Sequence, residues 1–161
     1  MEDCSVAHPT IEKCCLCSDV VESKRYVAAF ANYVLEHVQL LDKAAVEIYR
    51  VLMTSGRFIA FIPNPPAPEF MLVKHTPLWF RRMVTGRNAW HTYYAYKNIA
   101  VLTKIFESTG FCLVEKRYWP VVGDYLYKIP FLGILGKSYD KMISIMEAET
   151  FMGQVCLIFE K

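Results

Sequence analysis

In this 161-residue chain the residues best suited to chemistry are Glu36 and His37, which come directly after an apolar run. An imidazole can take up a proton near neutral pH and a neighbouring carboxylate can orient it, so the pair suits general acid–base work. The commoner use of two such residues after a strand is to brace the following helix, and that use competes with the chemical one. A second group, Arg81, Arg82, His91 and Tyr94, lies among Trp79, Trp90 and Tyr93. Guanidinium groups beside rings suit an anionic or planar small molecule, or a lipid headgroup. The simpler use is an aromatic lid packed on its own core, with the arginines solvated. Cys14 and Cys17 form a C-x-x-C pair with Cys4 and His8 upstream. Their spacing matches no strong tetrahedral zinc pattern and Cys15 is left over, so no metal site is expected.

Alternating elements must position these groups. The run YVAAFANY from Tyr26 to Tyr33 is nearly continuous in apolar residues, as in an interior strand covered on both faces. Asp42 suits a helix cap, with Leu41 stapling the start, and Ala45, Ile48 and Leu52 recur at helical spacing up to Met53. A turn through Thr54, Ser55 and Gly56 then leads into a second buried strand, Arg57 to Ile62. Pro63, Pro65, Pro66 and Pro68 stop that strand. Residues 64–95 read as an aromatic insertion with one short helix. Tyr96 to Thr109 is helical through Ile99, Leu102, Ile105 and Phe106, and Gly110 with Phe111 suits a left-handed C-terminal cap. Phe111 to Tyr118 alternates as a strand, one further helix follows, and Gln154 to Glu160 closes the chain as a last strand. Strands alternating with crossover helices make an α/β fold with a mostly parallel sheet.

Composition limits the function classes. Hydrophobic residues make up 54% and charged residues 21%, enough to bury a core. A net charge of +2 gives no strong field for nucleic acid. The start of the chain has no signal-peptide core, so a reducing cytoplasm with free thiols is expected. Cys112 and Cys156, in FCLV and VCLIF, are expected to be buried. The segment YLYKIPFLGIL, from Tyr125 to Leu135, is a hydrophobic flap whose burial inside the domain is expected over membrane contact.

Taken together, Val34, Leu35, Glu36, His37 and Val38, then Glu47, Arg50, Val51 and Leu52, then Pro63 and Asn64, resemble the C-terminal half of class I S-adenosylmethionine-dependent methyltransferases of the Val-Leu-Glu-His type. Glu107, Ser108, Thr109, Gly110 and Phe111 resemble that family's closing helix and the strand after it. The resemblance implies a partial Rossmann-like methyltransferase fold with an antiparallel final strand. It also implies transfer of a methyl group from S-adenosylmethionine to a small-molecule acceptor. Asn32, Tyr33, Val34 and Leu35 would then line the cofactor side, and Glu36 and His37 the catalytic side, with His37 as base for an acceptor that must lose a proton. Arg81, Arg82, His91 and Tyr94 would lie where the family builds its substrate lid.

Two family features have no counterpart: the glycine-rich turn after the first strand and the acid that grips the cofactor ribose. Residues 1–25, a flexible arm by default, are too few for the family's first three strands, so those strands are expected to be missing and residues 26–161 form a truncated domain. The Tyr26 strand then has one unpaired apolar edge, open to the segment Cys17 to Glu22, to a second copy, or to a partner chain. Cofactor binding is correspondingly doubtful. A non-catalytic subunit that pairs through this edge is the alternative function.

Overall fold

The computed structural model describes residues 23–75, 93, 95–126 and 130–161. Four strands form one sheet: β1 (Tyr26–Asn32), β2 (Leu52–Pro63), β3 (Cys112–Trp119) and β4 (Gln154–Glu160), in the spatial order β1-β2-β4-β3. β1 and β2 run parallel, and β4 is antiparallel to both of its neighbours. The last strand is therefore the reversed one, as expected, and it runs from Gln154 to Glu160 as the sequence indicated.

Helices α1 (Leu41–Val51) and α3 (Ile99–Ser108) pack on one face of the sheet. On that face Leu41, Ala45 and Ile48 of α1 meet Ile99, Leu102 and Phe106 of α3 over Phe58, Ala60 and Ile62 of β2 and Val155, Leu157 and Phe159 of β4. Each fully buried side chain of this size contributes roughly 1.5–3 kcal/mol. Neither helix is stable alone at ten or eleven residues; burial of the apolar face holds them. Asn98 caps α3 by accepting from the Val101 N–H at 2.9 Å. Gly110 closes the same helix at φ 107°, in the left-handed region the sequence required of it.

Several expectations change. Asp42 does not cap α1: Leu40 occupies that position with no side-chain bond, and Asp42 sits in the first turn. No separate turn divides α1 from β2. The chain passes directly from Val51 to Leu52, and the extra residues are absorbed as an irregularity in β2, where Ser55 adopts φ 61° and the pairing with β1 shifts between Tyr26 and Ala28. Among the described residues β1 is not interior but ends the sheet, with Val27 74% and Phe30 63% exposed. Cys112 is exposed while Cys156 is buried, because Cys112 stands at the solvent-facing start of β3.

The remaining elements are α2 (Pro68–His75), then α4 (Val122–Leu126) and α5 (Pro130–Ile145) where one helix was expected. The α4–α5 pair is tied by Asp140, whose carboxylate accepts from the Val122 and Gly123 N–H groups at 3.2 and 2.7 Å. Expected burial of the flap does not hold: Phe131, Leu132, Ile134 and Leu135 are exposed. Gly133 and Gly136 take inward positions in the first half of α5 and leave these large residues outward, while Ile143 is the buried large residue further along the helix.

Candidate functional site

The parallel pair β1/β2 defines a carboxyl edge, where open α/β sheets place ligands. Beyond β1 the chain turns sharply at Tyr33, which has φ 52° and whose N–H donates to the Phe61 carbonyl at 2.9 Å. A short 3-10 turn, Leu35–His37, follows. Asn32 and Val34 are exposed at this edge, whereas Leu35 is 2% exposed and belongs to the core. Leu35 therefore anchors the turn instead of presenting its side chain outward.

Glu36 is 4% exposed, and its Oε2 has no hydrogen-bond partner. Burial pushes its carboxyl above the usual carboxylate range; a hydrogen bond to its backbone and the neighbouring His37 pull partly the other way. His37 Nε2 lies 4.0 Å from Glu36 Oε1, too far for a hydrogen bond, and its side chain is about one-third exposed. The turn thus holds an imidazole at the mouth of the edge and a carboxyl behind it. It also braces the chain, since the Glu36 carbonyl accepts from the Tyr93 N–H at 2.9 Å.

The raised pKa of Glu36 has a measurable sign. A carboxyl whose folded value lies above its unfolded one favours the folded state most when protonated, so stability declines as pH rises through that interval. Glu36→Gln removes this effect. The variant is expected to melt higher than the parent at neutral pH, with the gap closing as pH falls towards 4.5, the ordinary carboxyl value. Thermal melts across that range followed by circular dichroism check it; a gap that stays constant with pH contradicts it.

Beyond β2, Asn64 is 2% exposed and its side-chain N–H groups donate to the Glu149 and Met152 carbonyls at 2.9 and 2.8 Å. It is a clamp between β2 and the segment leading into β4. Glu69, in the first turn of α2, was not anticipated. Both its carboxyl oxygens are buried without a partner, and burial, with Asp140 adding to it, raises its pKa. A Cβ on Gly153 would stand 1.9 Å from Glu69 Oε1, so that glycine makes room for the carboxyl. Nothing in the sequence marks Glu69 apart from any acid opening a helix. Arg81, Arg82, His91 and Tyr94, and the residues Cys4, His8, Cys14, Cys15 and Cys17, lie outside the described residues. Among the described residues no group of three or more His, Cys, Asp or Glu could hold a metal ion.

No protein-family model and no curated protein matches the sequence. Solved structures do. An S-adenosylmethionine-dependent methyltransferase from Mesorhizobium loti superposes over 91% of this chain and 66% of its own length, with a TM-score of 0.57 at 11% identity. A second, from Archaeoglobus fulgidus, covers 88% of this chain and 62% of its own, with 0.52 at 16% identity. The chain has the class I S-adenosylmethionine-dependent methyltransferase fold.

The order β1-β2-β4-β3 with β4 reversed is the part of the methyltransferase fold described by these residues. The chain spans less than two thirds of the length of the structures it matches. The methyltransferase fold also carries other chemistry, since the cyclase SpnF matches over 89% of this chain and 52% of its own, with a TM-score of 0.50 at 17% identity. Among the described residues no helix is long and apolar enough to cross a membrane.

Proposed function

We propose that this chain is the acceptor-side portion of a methyltransferase that moves a methyl group from S-adenosylmethionine to a small-molecule acceptor. The observation that carries the proposal is the constellation at the carboxyl edge of β1: exposed Asn32 and Val34, the left-handed turn at Tyr33, and the Glu36–His37 pair behind them. When bound, the cofactor supplies an activated methyl group on a sulfonium. The chain's own contribution is positioning, because the acceptor lone pair, the methyl carbon and the leaving sulfur must align. His37 takes the acceptor's proton where the acceptor is a hydroxyl, and the buried Glu36 positions the turn that carries it. Arg81, Arg82, His91 and Tyr94 are proposed to face the acceptor.

The fit of the cofactor to these residues is one-sided. Asn32, Tyr33 and Val34 offer one wall, Leu35 is turned into the core, and among the described residues no glycine-rich turn follows a strand. On this reading residues 26–161 hold a half-site, and S-adenosylmethionine binds the chain alone weakly. Calorimetric titration of the purified chain tests this: heats too small to define a tight site are expected. Tight one-to-one binding overturns the half-site.

The alternative, a non-catalytic subunit that pairs through β1 with a methyltransferase or a second copy, is favoured by one observation, the exposure of Val27 and Phe30 on the outermost strand. Light scattering separates the two, because a Val27→Lys/Phe30→Lys variant that converts a dimer to a monomer supports pairing.

A further inference from the structure

Helix α5 is amphipathic in the reverse sense of an ordinary surface helix. At 100° per residue, Phe131, Ile134, Leu135, Met142 and Ile145 fall within an arc of about 100°, with Ser138 among them. All five large residues face solvent, at 75%, 67%, 53%, 50% and 74% exposure. Met146, just past the helix end, continues the stripe at 67%. On the opposite side Gly133 and Gly136 are buried, with Ile143 the large apolar residue that faces inward at 3% exposure, and Gly136 packs so closely on Gly123 of α4 that an added Cβ would stand 2.9 Å from its Cα. A globular helix buries its large apolar side chains and exposes its small or polar ones. Here the glycines bring α5 close to α4 and leave the bulk outside. Six large side chains in one line form a patch of several hundred Å2, the size at which an apolar surface marks an interaction site.

The charges beside the stripe select the partner. α5 carries three charged residues, Lys137, Asp140 and Lys141. Asp140 is turned inward to the α4 backbone, so its charge is already engaged. Lys137 and Lys141 are exposed and lie together along one border of the stripe. Glu147 follows the helix, and Glu149 is paired with Lys116 at 3.5 Å. An apolar stripe with Lys137 and Lys141 along one border matches the boundary of an anionic bilayer, where apolar side chains enter the acyl region and ammonium groups meet headgroup phosphates.

We infer that α5 is a membrane-surface helix that docks the chain in the plane of an anionic lipid bilayer. The inference stands apart from cofactor binding, and its test reads neither cofactor nor methyl transfer. The full chain is floated with vesicles of phosphatidylcholine alone and with vesicles containing phosphatidylserine in equal part. Binding to the mixed vesicles and little to the neutral ones is expected. Lys137→Ala with Lys141→Ala weakens binding to mixed vesicles by about 25-fold, since each basic residue near such a surface contributes a factor of about five. Ile134→Glu with Met142→Glu abolishes it while the thermal midpoint stays unchanged, because both side chains are already in solvent. The inference is overturned if the chain stays in the aqueous phase with both vesicles, if either variant binds as the parent does, or if light scattering shows a dimer that Ile134→Glu dissolves, which would assign the stripe to a second copy.

Discussion

Phe106→Ala is expected to cost about 3–5 kcal/mol of folding stability, the largest loss from any single side chain discussed. Phe106 is fully buried, and its ring lies 5.2 Å from that of Phe58, 4.9 Å from Phe159 and 5.8 Å from Phe111. It therefore joins α3 to two central strands and to the residue that closes the helix. Truncation removes both the transfer energy and the ring contacts and leaves a cavity that three other rings cannot all collapse into. Domains of this size are stable by about 5–15 kcal/mol, so the variant is expected to be near its unfolding midpoint under mild denaturant. Urea unfolding measures it, as a lower midpoint at unchanged slope. A loss under about 1 kcal/mol would mean that α3 is not seated on the sheet in this way.

Asn64→Ala is expected to cost about 2–4 kcal/mol, because it leaves two carbonyls in a buried setting without their donors. The clamp has a position-specific consequence as well. Glu149 and Met152 lie in the connection between α5 and β4, so without the Asn64 side chain that connection loses two ties to the end of β2 and keeps the backbone bond from the N–H of residue 64 to the Gly153 carbonyl. Amide exchange is expected to quicken at residues 149–155 more than in β2. Asn64→Asp should be no better than alanine, since an ionised carboxylate accepts and cannot donate to a carbonyl. Rescue by aspartate would contradict the donor role.

The sequence carried much of the fold where one residue type answers one geometric demand. Gly110 ends α3 because the chain needs a positive φ there, and the continuous apolar run Val155 to Phe159 suits β4, a central strand in which Val155, Cys156, Leu157 and Phe159 are buried. The junction of α1 and β2 misled because Thr54, Ser55 and Gly56 have turn composition, while the actual structure is an irregular strand with Ser55 in the left-handed region. Asn98 was missed as a cap because Tyr96 extended the apolar pattern backwards, although Tyr96 lies before the helix and is buried there.

The site was partly legible. Glu36 and His37 stand out as adjacent ionisable residues after an apolar strand, yet only coordinates place one inside and the other at the surface. Asn64 reads as part of a Pro-Asn motif and proves to be a clamp. Glu69 and Gly153 are 84 positions apart in sequence, so their contact has no local signal. In α5 the apolar residues of the flap were visible but the direction they face was not. Apolar residues on one helical face are ordinarily inward, and the glycines at 133 and 136 reverse that by packing α5 closely on α4.

The central claim, a cofactor half-site at the carboxyl edge of β1, is tested most directly by amide chemical shifts recorded while S-adenosylhomocysteine is added in large excess. The account predicts small, fast-exchange shifts confined to Asn32 through His37. Slow-exchange saturation at one equivalent, or shifts clustered away from that turn, would contradict it.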